Sequence, residues 1–86
     1  MDIEFEPIEL WDSDSYSVAF PVLVDGRRIR CIVAVEALQD HYGLKTLGNE
    51  AVSVFKANRE DFEQLIVERL NMGVTDDPII LTSGDF

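Results

Sequence analysis

The sequence predicts a two-layer α+β domain. An antiparallel sheet is built on a hairpin over residues 15–35 and joined by a C-terminal strand, with helices packed on one face. Three observations carry this prediction. Apolar residues alternate with smaller or more polar ones on both sides of Asp25-Gly26, the period of a half-buried strand. Beyond residue 35 the apolar spacing becomes helical, up to Gly73. After Pro78 a short run, Ile79-Ile80-Leu81, returns to strand character. The 86 residues form a single domain, 1–86. A chain of this mass buries about 64% of its surface on folding, enough for one small core but not for a catalytic cleft walled on all sides.

Residues 1–14 are an acidic lead-in, with Asp2, Glu4, Glu6, Glu9, Asp12 and Asp14 and no base. Ile3 and Phe5 alternate with acids and read as a short strand, which Pro7 stops from continuing. Trp11 is its one large anchor and is expected to pack onto the domain body.

In the hairpin, Tyr16, Val18, Phe20, Val22 and Val24 alternate before the turn, and Ile29, Cys31, Val33 and Val35 after it. Asp-Gly is favoured where both central residues of a two-residue turn need positive φ. That loop pairs Val22 with Ile29, Phe20 with Cys31, Val18 with Val33 and Tyr16 with Val35, so the bulky apolar residues share one face. A slip of one residue would scatter them, which specifies the register. Pro21 then falls opposite Arg30 at a non-hydrogen-bonded site. Its missing N–H faces the strand's other neighbour, so an edge or bulge is expected there.

Residues 36–42 read as a short helix, with Gly43 where a left-handed cap belongs. Asn49 is expected to cap a longer helical stretch whose stripe contains Ala51, Val54, Phe55, Phe62, Leu65, Ile66 and Leu70. Asn58 also falls on that stripe. A break there, with the Asn58 side chain capping the N–H of Glu60 or Asp61, satisfies the amide better than a continuous helix does. In the last strand, Ile79–Leu81, apolar residues on both faces suggest neighbours on each side or cover from the chain ends. The terminal Phe86 is expected to be packed.

The run Phe20-Pro21-x-x-Val24-Asp25-Gly26-x-x-Ile29-x-Cys31-x-Val33 resembles the hairpin of a small bacterial family, domain-of-unknown-function family 1488. Phe55-x-Ala57-Asn58-Arg59 and Leu81-Thr82-Ser83-x-Asp85-Phe86 resemble its middle helix and terminus. The likeness covers roughly residues 10–86. It implies a compact α+β domain of the bacterial cytoplasm and brings no activity, cofactor or catalytic residue.

Seventeen acids against seven bases leave a net charge of −10. Such a surface disfavours nucleic-acid binding, which needs Lys and Arg to displace counterions, and attraction to anionic membranes. Cys31 is the only cysteine, so neither an internal disulfide nor a thiolate metal cluster can form. The start of the chain carries acids where a secretory leader carries bases, and no apolar run approaches the ~20 residues of a membrane span. A cytoplasmic location follows as the expectation.

Candidate chemistry is sparse. His41, the only histidine, lies beside Asp40 on the short helix with no convergent nucleophile, and reads as an exposed helix-end residue. Cys31 faces Phe20 and reads as a core thiol. Asp12 and Asp14 begin like a calcium loop, but that loop's sixth and twelfth positions hold Ser17 and Leu23 instead of Gly and Glu. The five glycines stand singly, so no phosphate loop, dinucleotide fingerprint or nucleophile elbow is present. No catalytic residue, cofactor or metal ligand is assigned, and nothing in the chain argues for an enzyme.

The remaining feature is basic. Arg27, Arg28 and Arg30 are three of the seven bases, within four residues. Arg28 and Arg30 point to the hairpin's second face with Leu23 and Ile32, beside Ala19, Pro21 and Ala34. These four, Leu23, Arg28, Arg30 and Ile32, make a candidate interaction face, against the plainer reading of a solvated face whose arginines pair with the acidic lead-in. The expected function is a non-catalytic protein-interaction or regulatory module, its partner another protein, a second copy of the chain or its own lead-in. Two alternatives stand beside it: a small-molecule-binding protein or minor enzyme with a sheet–helix pocket near His41 and Tyr42, and an acidic mimic of nucleic acid.

Overall fold

A computed structural model describes residues 1–74 and 76–86. The elements are β1 (Ile3–Phe5), β2 (Leu10–Asp12), β3 (Ser17–Val24), β4 (Arg27–Ala34), α1 (Val35–Tyr42), α2 (Asn49–Ala57), α3 (Arg59–Asn71), β5 (Ile79–Leu81) and a closing 3₁₀ turn, Ser83–Asp85. This is the expected α+β fold: a mostly antiparallel sheet with the three helices on one face. β3 and β4 form its centre. β5 joins the free edge of β4 in parallel, and β1 and β2 lie end to end along the free edge of β3.

The hairpin register is the one the turn dictates. Phe20 pairs with Cys31 and Val18 with Val33, all four at 1% exposure or less. Asp25 and Gly26 both take positive φ, 51° and 82°. The first residue pair is the exception. Tyr16 adopts φ 48° and is 57% exposed, while Val35 begins α1, so neither lies in a strand. One link survives, the Val35 N–H donating to the Tyr16 carbonyl at 3.0 Å. The chain has to leave the sheet plane here to place a helix over it, which costs the hairpin its last pair.

The lead-in supplies two short strands where one was expected. Phe5 pairs with Val22 and Leu10 with Ala19, which leaves Phe20 and Pro21 without a strand partner on that side. Pro21 has no N–H to offer a neighbour, so the edge is interrupted where interruption costs least. Trp11 packs inward opposite Val18, edge-on to Tyr16 at 6.5 Å.

The core joins the inner sheet face to Ala37 and Leu38 of α1, Ala51 and Phe55 of α2, and Phe62, Ile66 and Leu70 of α3. Gly43 closes α1 at φ 71°. Asn49, expected as a cap, is already helical. Gly48 takes the cap position at φ 71°, and its carbonyl accepts the Val52 N–H. The helical region does break at Asn58 (φ −123°), but the amide works in the other direction from the expected cap. The Asn58 N–H tightens onto the Phe55 carbonyl, so the Val54 carbonyl loses its helical donor; Asn58 Nδ2 donates to it at 2.9 Å. Asp61 N–H is taken by the Asn58 backbone carbonyl.

At the other end, β5 is an edge strand with a single neighbour among the described residues. Ile79 and Leu81 are buried, while Ile80 is 51% exposed, so only one of its faces is covered. Phe86 packs against His41, Tyr42 and Phe62.

Candidate interaction face

Alternation along the hairpin decides which side chains meet on the uncovered side of the sheet. Leu23 pairs with Arg28, Pro21 with Arg30 and Ala19 with Ile32. The four residues singled out from sequence are therefore brought together on one face, outside the helical layer. Register extends the face beyond the hairpin. Leu10 continues the Ala19–Ile32 row on one side and Ile80 on the other. The row Leu10–Ala19–Ile32–Ile80 crosses four strands, a width of about 14 Å at the usual strand spacing. Its ends are open, Leu10 at 64% and Ile80 at 51% exposure, whereas Ile32 in the middle is 8% exposed. Leu10 and Ile80 were not legible as part of this face, because only the pairing of β2 and β5 puts them there.

A hollow of about 320 Å³ lies beside this row, lined by Ile8, Leu10, Ala19, Phe20, Pro21, Arg28, Arg30 and Asp77. Ala19 and Pro21 of β3 lie between longer side chains of the lead-in and of β4, which leaves a short trough over them. The two arginines are held differently. Arg28 Nε meets Glu6 Oε1 at 3.3 Å in an exposed pair, so the lead-in does reach one of them. Arg30 forms no ion pair among the described residues; its backbone N–H donates to Asp77 Oδ1 at 3.2 Å.

The residue that sequence reading missed is Arg59. Its Nη1 meets Glu9 Oε2 at 2.6 Å, its Nε meets Glu63 Oε2 at 2.7 Å, and its Nη2 donates to the Glu6 carbonyl at 2.5 Å. The guanidinium also lies 5.7 Å from the Phe20 ring centroid and 5.5 Å from that of Phe55. It fills the break between β1 and β2 and ties the lead-in to α3. The available signal was the Asn58-Arg59 pair at the helix break, read for its amide alone.

Elsewhere the chemistry is that of a scaffold. Ser83 Oγ donates to Asp40 Oδ2 at 2.6 Å, and His41 Nε2 lies 2.9 Å from the Ser83 carbonyl. A ring nitrogen bonded to a carbonyl must carry the proton, so Nε2 is no base for Ser83. Together they fasten the 3₁₀ turn to α1. Tyr42 donates to Asp61 Oδ2, and burial together with that acceptor pushes its hydroxyl up to about 12. The opening beside Tyr42 is an outer groove lined by residues of α1, α3 and the C-terminus, not a space between sheet and helices. Among the described residues no group of acids, His and Cys is placed to hold a metal ion.

Burial, with a smaller contribution from Asp77, raises the Cys31 thiol from 9.0 to about 12. The native protein is therefore expected to resist iodoacetamide at neutral pH and to react once unfolded in urea. The folded thiol holds its proton more tightly than the unfolded one, so this contribution to stability is complete below about pH 9 and lost as pH rises towards 12. Rapid alkylation of the native protein would contradict the buried placement.

The family model of a protein of unknown function, DUF1488, matches residues 3–81. The chain belongs to the DUF1488 family. A crystal structure of a DUF1488 protein of unknown function from Shewanella loihica PV-4 has the same fold, with a TM-score of 0.82 at 22% identity over 94% of each chain. No curated protein matches the chain. In this DUF1488 domain each segment that carried the resemblance has a part in building the fold. The hairpin segment specifies the inner face and the turn, Asn58-Arg59 the helix break and its clamp, and the terminus the packing of the 3₁₀ turn. Asp85 there accepts the Thr82 N–H and pairs with Arg69.

Proposed function

We propose that this DUF1488 chain is a non-catalytic protein-interaction module of the bacterial cytoplasm and that the outer sheet face is its contact surface. The observation that carries the reading is the apolar row ending in exposed Leu10 and Ile80, with Arg28 and Arg30 beside it. A helix layer covers the other side of the sheet, so this is the side left for a partner. The net charge of −10 argues against nucleic acid as that partner, and no described helix is long and apolar enough to cross a membrane. A thiol held protonated and a histidine whose Nε2 is bound to a carbonyl offer no nucleophile–base pair for catalysis.

The test is site-specific photo-crosslinking in the native host. A benzophenone residue at position 10 or 80 is expected to yield a discrete protein adduct, and one at exposed Glu60 on α3 to yield none. The double variant Leu10→Glu, Ile80→Glu should unfold at the wild-type temperature, because both side chains already face solvent. No adduct at either sheet position, or equal adducts at all three, would refute the assignment.

A further inference from the structure

We infer that the outer face recognises an extended acidic segment of a partner protein, with two carboxylates at alternate positions and a bulky apolar side chain beside them. This rests on the interaction reading above and adds the chemistry of the partner. The short trough over β3 supplies the shape. It lies between Ile8 and Leu10 on one flank and Arg28 and Arg30 on the other, with Ala19 and Pro21 between them. An extended segment is the backbone form that presents alternate side chains to two arginines at alternate positions of a strand, which a helix does not. A volume of about 320 Å³ has room for a large side chain and little more.

Charge supplies the specificity. Arg28 and Arg30 are alternate residues of one strand, so they repeat at about 6.7 Å, the spacing of alternate side chains in an extended ligand. Each guanidinium can grip a carboxylate at two points. The acids already present do not consume both. Asp77 is bonded through Oδ1 to the Arg30 backbone, and Glu6 meets Nε of Arg28 at 3.3 Å in a pair whose Arg28 side chain is 60% exposed. Exposed pairs of that kind are weak, so a ligand carboxylate can displace Glu6 at little cost. The −10 body repels an acidic partner at long range, but that field is screened beyond about 10 Å at 0.1 M salt while the contacts persist. A positively charged segment would meet the opposite situation, with both arginines repelling it at contact.

The experiment is selection of random peptides displayed on phage against the full chain, followed by binding of the selected peptides to two variants. The expected consensus has Asp or Glu at alternate positions next to a Leu, Phe or Ile. Its members should bind the Arg28→Glu, Arg30→Glu variant at least about tenfold more weakly. If that variant does not fold, Arg28→Gln, Arg30→Gln makes the same comparison. Peptides without an acidic preference that are nevertheless lost on Leu10→Glu, Ile80→Glu would overturn the partner chemistry and leave the interaction face standing. Binders indifferent to both variants, or no binders at all, would overturn the face and its partner together.

Discussion

Replacing Arg59 with methionine is expected to destabilise the protein by about 2–4 kcal/mol, the range for removing one partner of a largely buried, multiply bonded ion pair. Arg59 is 19% exposed and Glu9 12%, so Glu9 would be left poorly solvated with only the exposed Lys56 at 3.4 Å for compensation. For a domain of this size that corresponds to a fall in Tm of roughly 10–30 °C. Arg59→Lys should recover little of the loss, since a single ammonium cannot reach Glu9, Glu63 and the Glu6 carbonyl at once. Lys56→Met, by contrast, removes a 62% exposed charge and should cost less than about 1 kcal/mol. Urea and thermal unfolding measure these values, and hydrogen exchange locates them: the amides of β1 and β2 should lose protection before those of β3 and β4. A loss below about 1 kcal/mol in Arg59→Met would show that the lead-in is held by its strand pairing alone.

Phe20→Ala is expected to cost about 3–5 kcal/mol, the usual penalty for emptying a fully buried aromatic site. The whole stability of a chain this long is only about 4–13 kcal/mol. Phe20 is 1% exposed, and its ring centroid lies 4.9 Å from that of Phe55 and 6.5 Å from that of Phe5. It therefore joins the lead-in, the hairpin and the helical layer at one point. Phe86→Ala should cost clearly less, because that ring is 37% exposed at the chain end. Since Arg59 lies over the Phe20 ring, Phe20→Ala and Arg59→Met should not be additive; a coupling of about 0.5–3 kcal/mol is expected from a double-mutant cycle. Strict additivity would mean that the guanidinium and the ring do not stabilise one another.

Local physics was enough for the hairpin, the helix break and the inner face. Asp25-Gly26 sets a two-residue turn, the turn sets the register, and the register sorts Val18, Phe20, Val22, Ile29, Cys31 and Val33 onto one side. Each step involves residues close in sequence, so each can be read without a structure. The same alternation placed Leu23, Arg28, Arg30 and Ile32 on the opposite side. The direction of the Asn58 hydrogen bond was not legible, because it depends on which carbonyl the break orphans. Nor was the chain's departure from the sheet at Tyr16. The widest gap concerns long-range pairing. Nothing local says that β1 and β2 lie end to end on β3, that β5 adds in parallel beside β4, or that Arg59 reaches back some fifty residues to Glu6 and Glu9. Those choices rest on burial and charge compensation between segments that meet only in the folded chain. They also complete the outer face. The sequence alone determined that two arginines share a face with apolar neighbours. The tertiary structure decided that Leu10 and Ile80 extend it and that a trough opens beside Leu10, because strand order, unlike strand register, is settled by contacts no local pattern encodes.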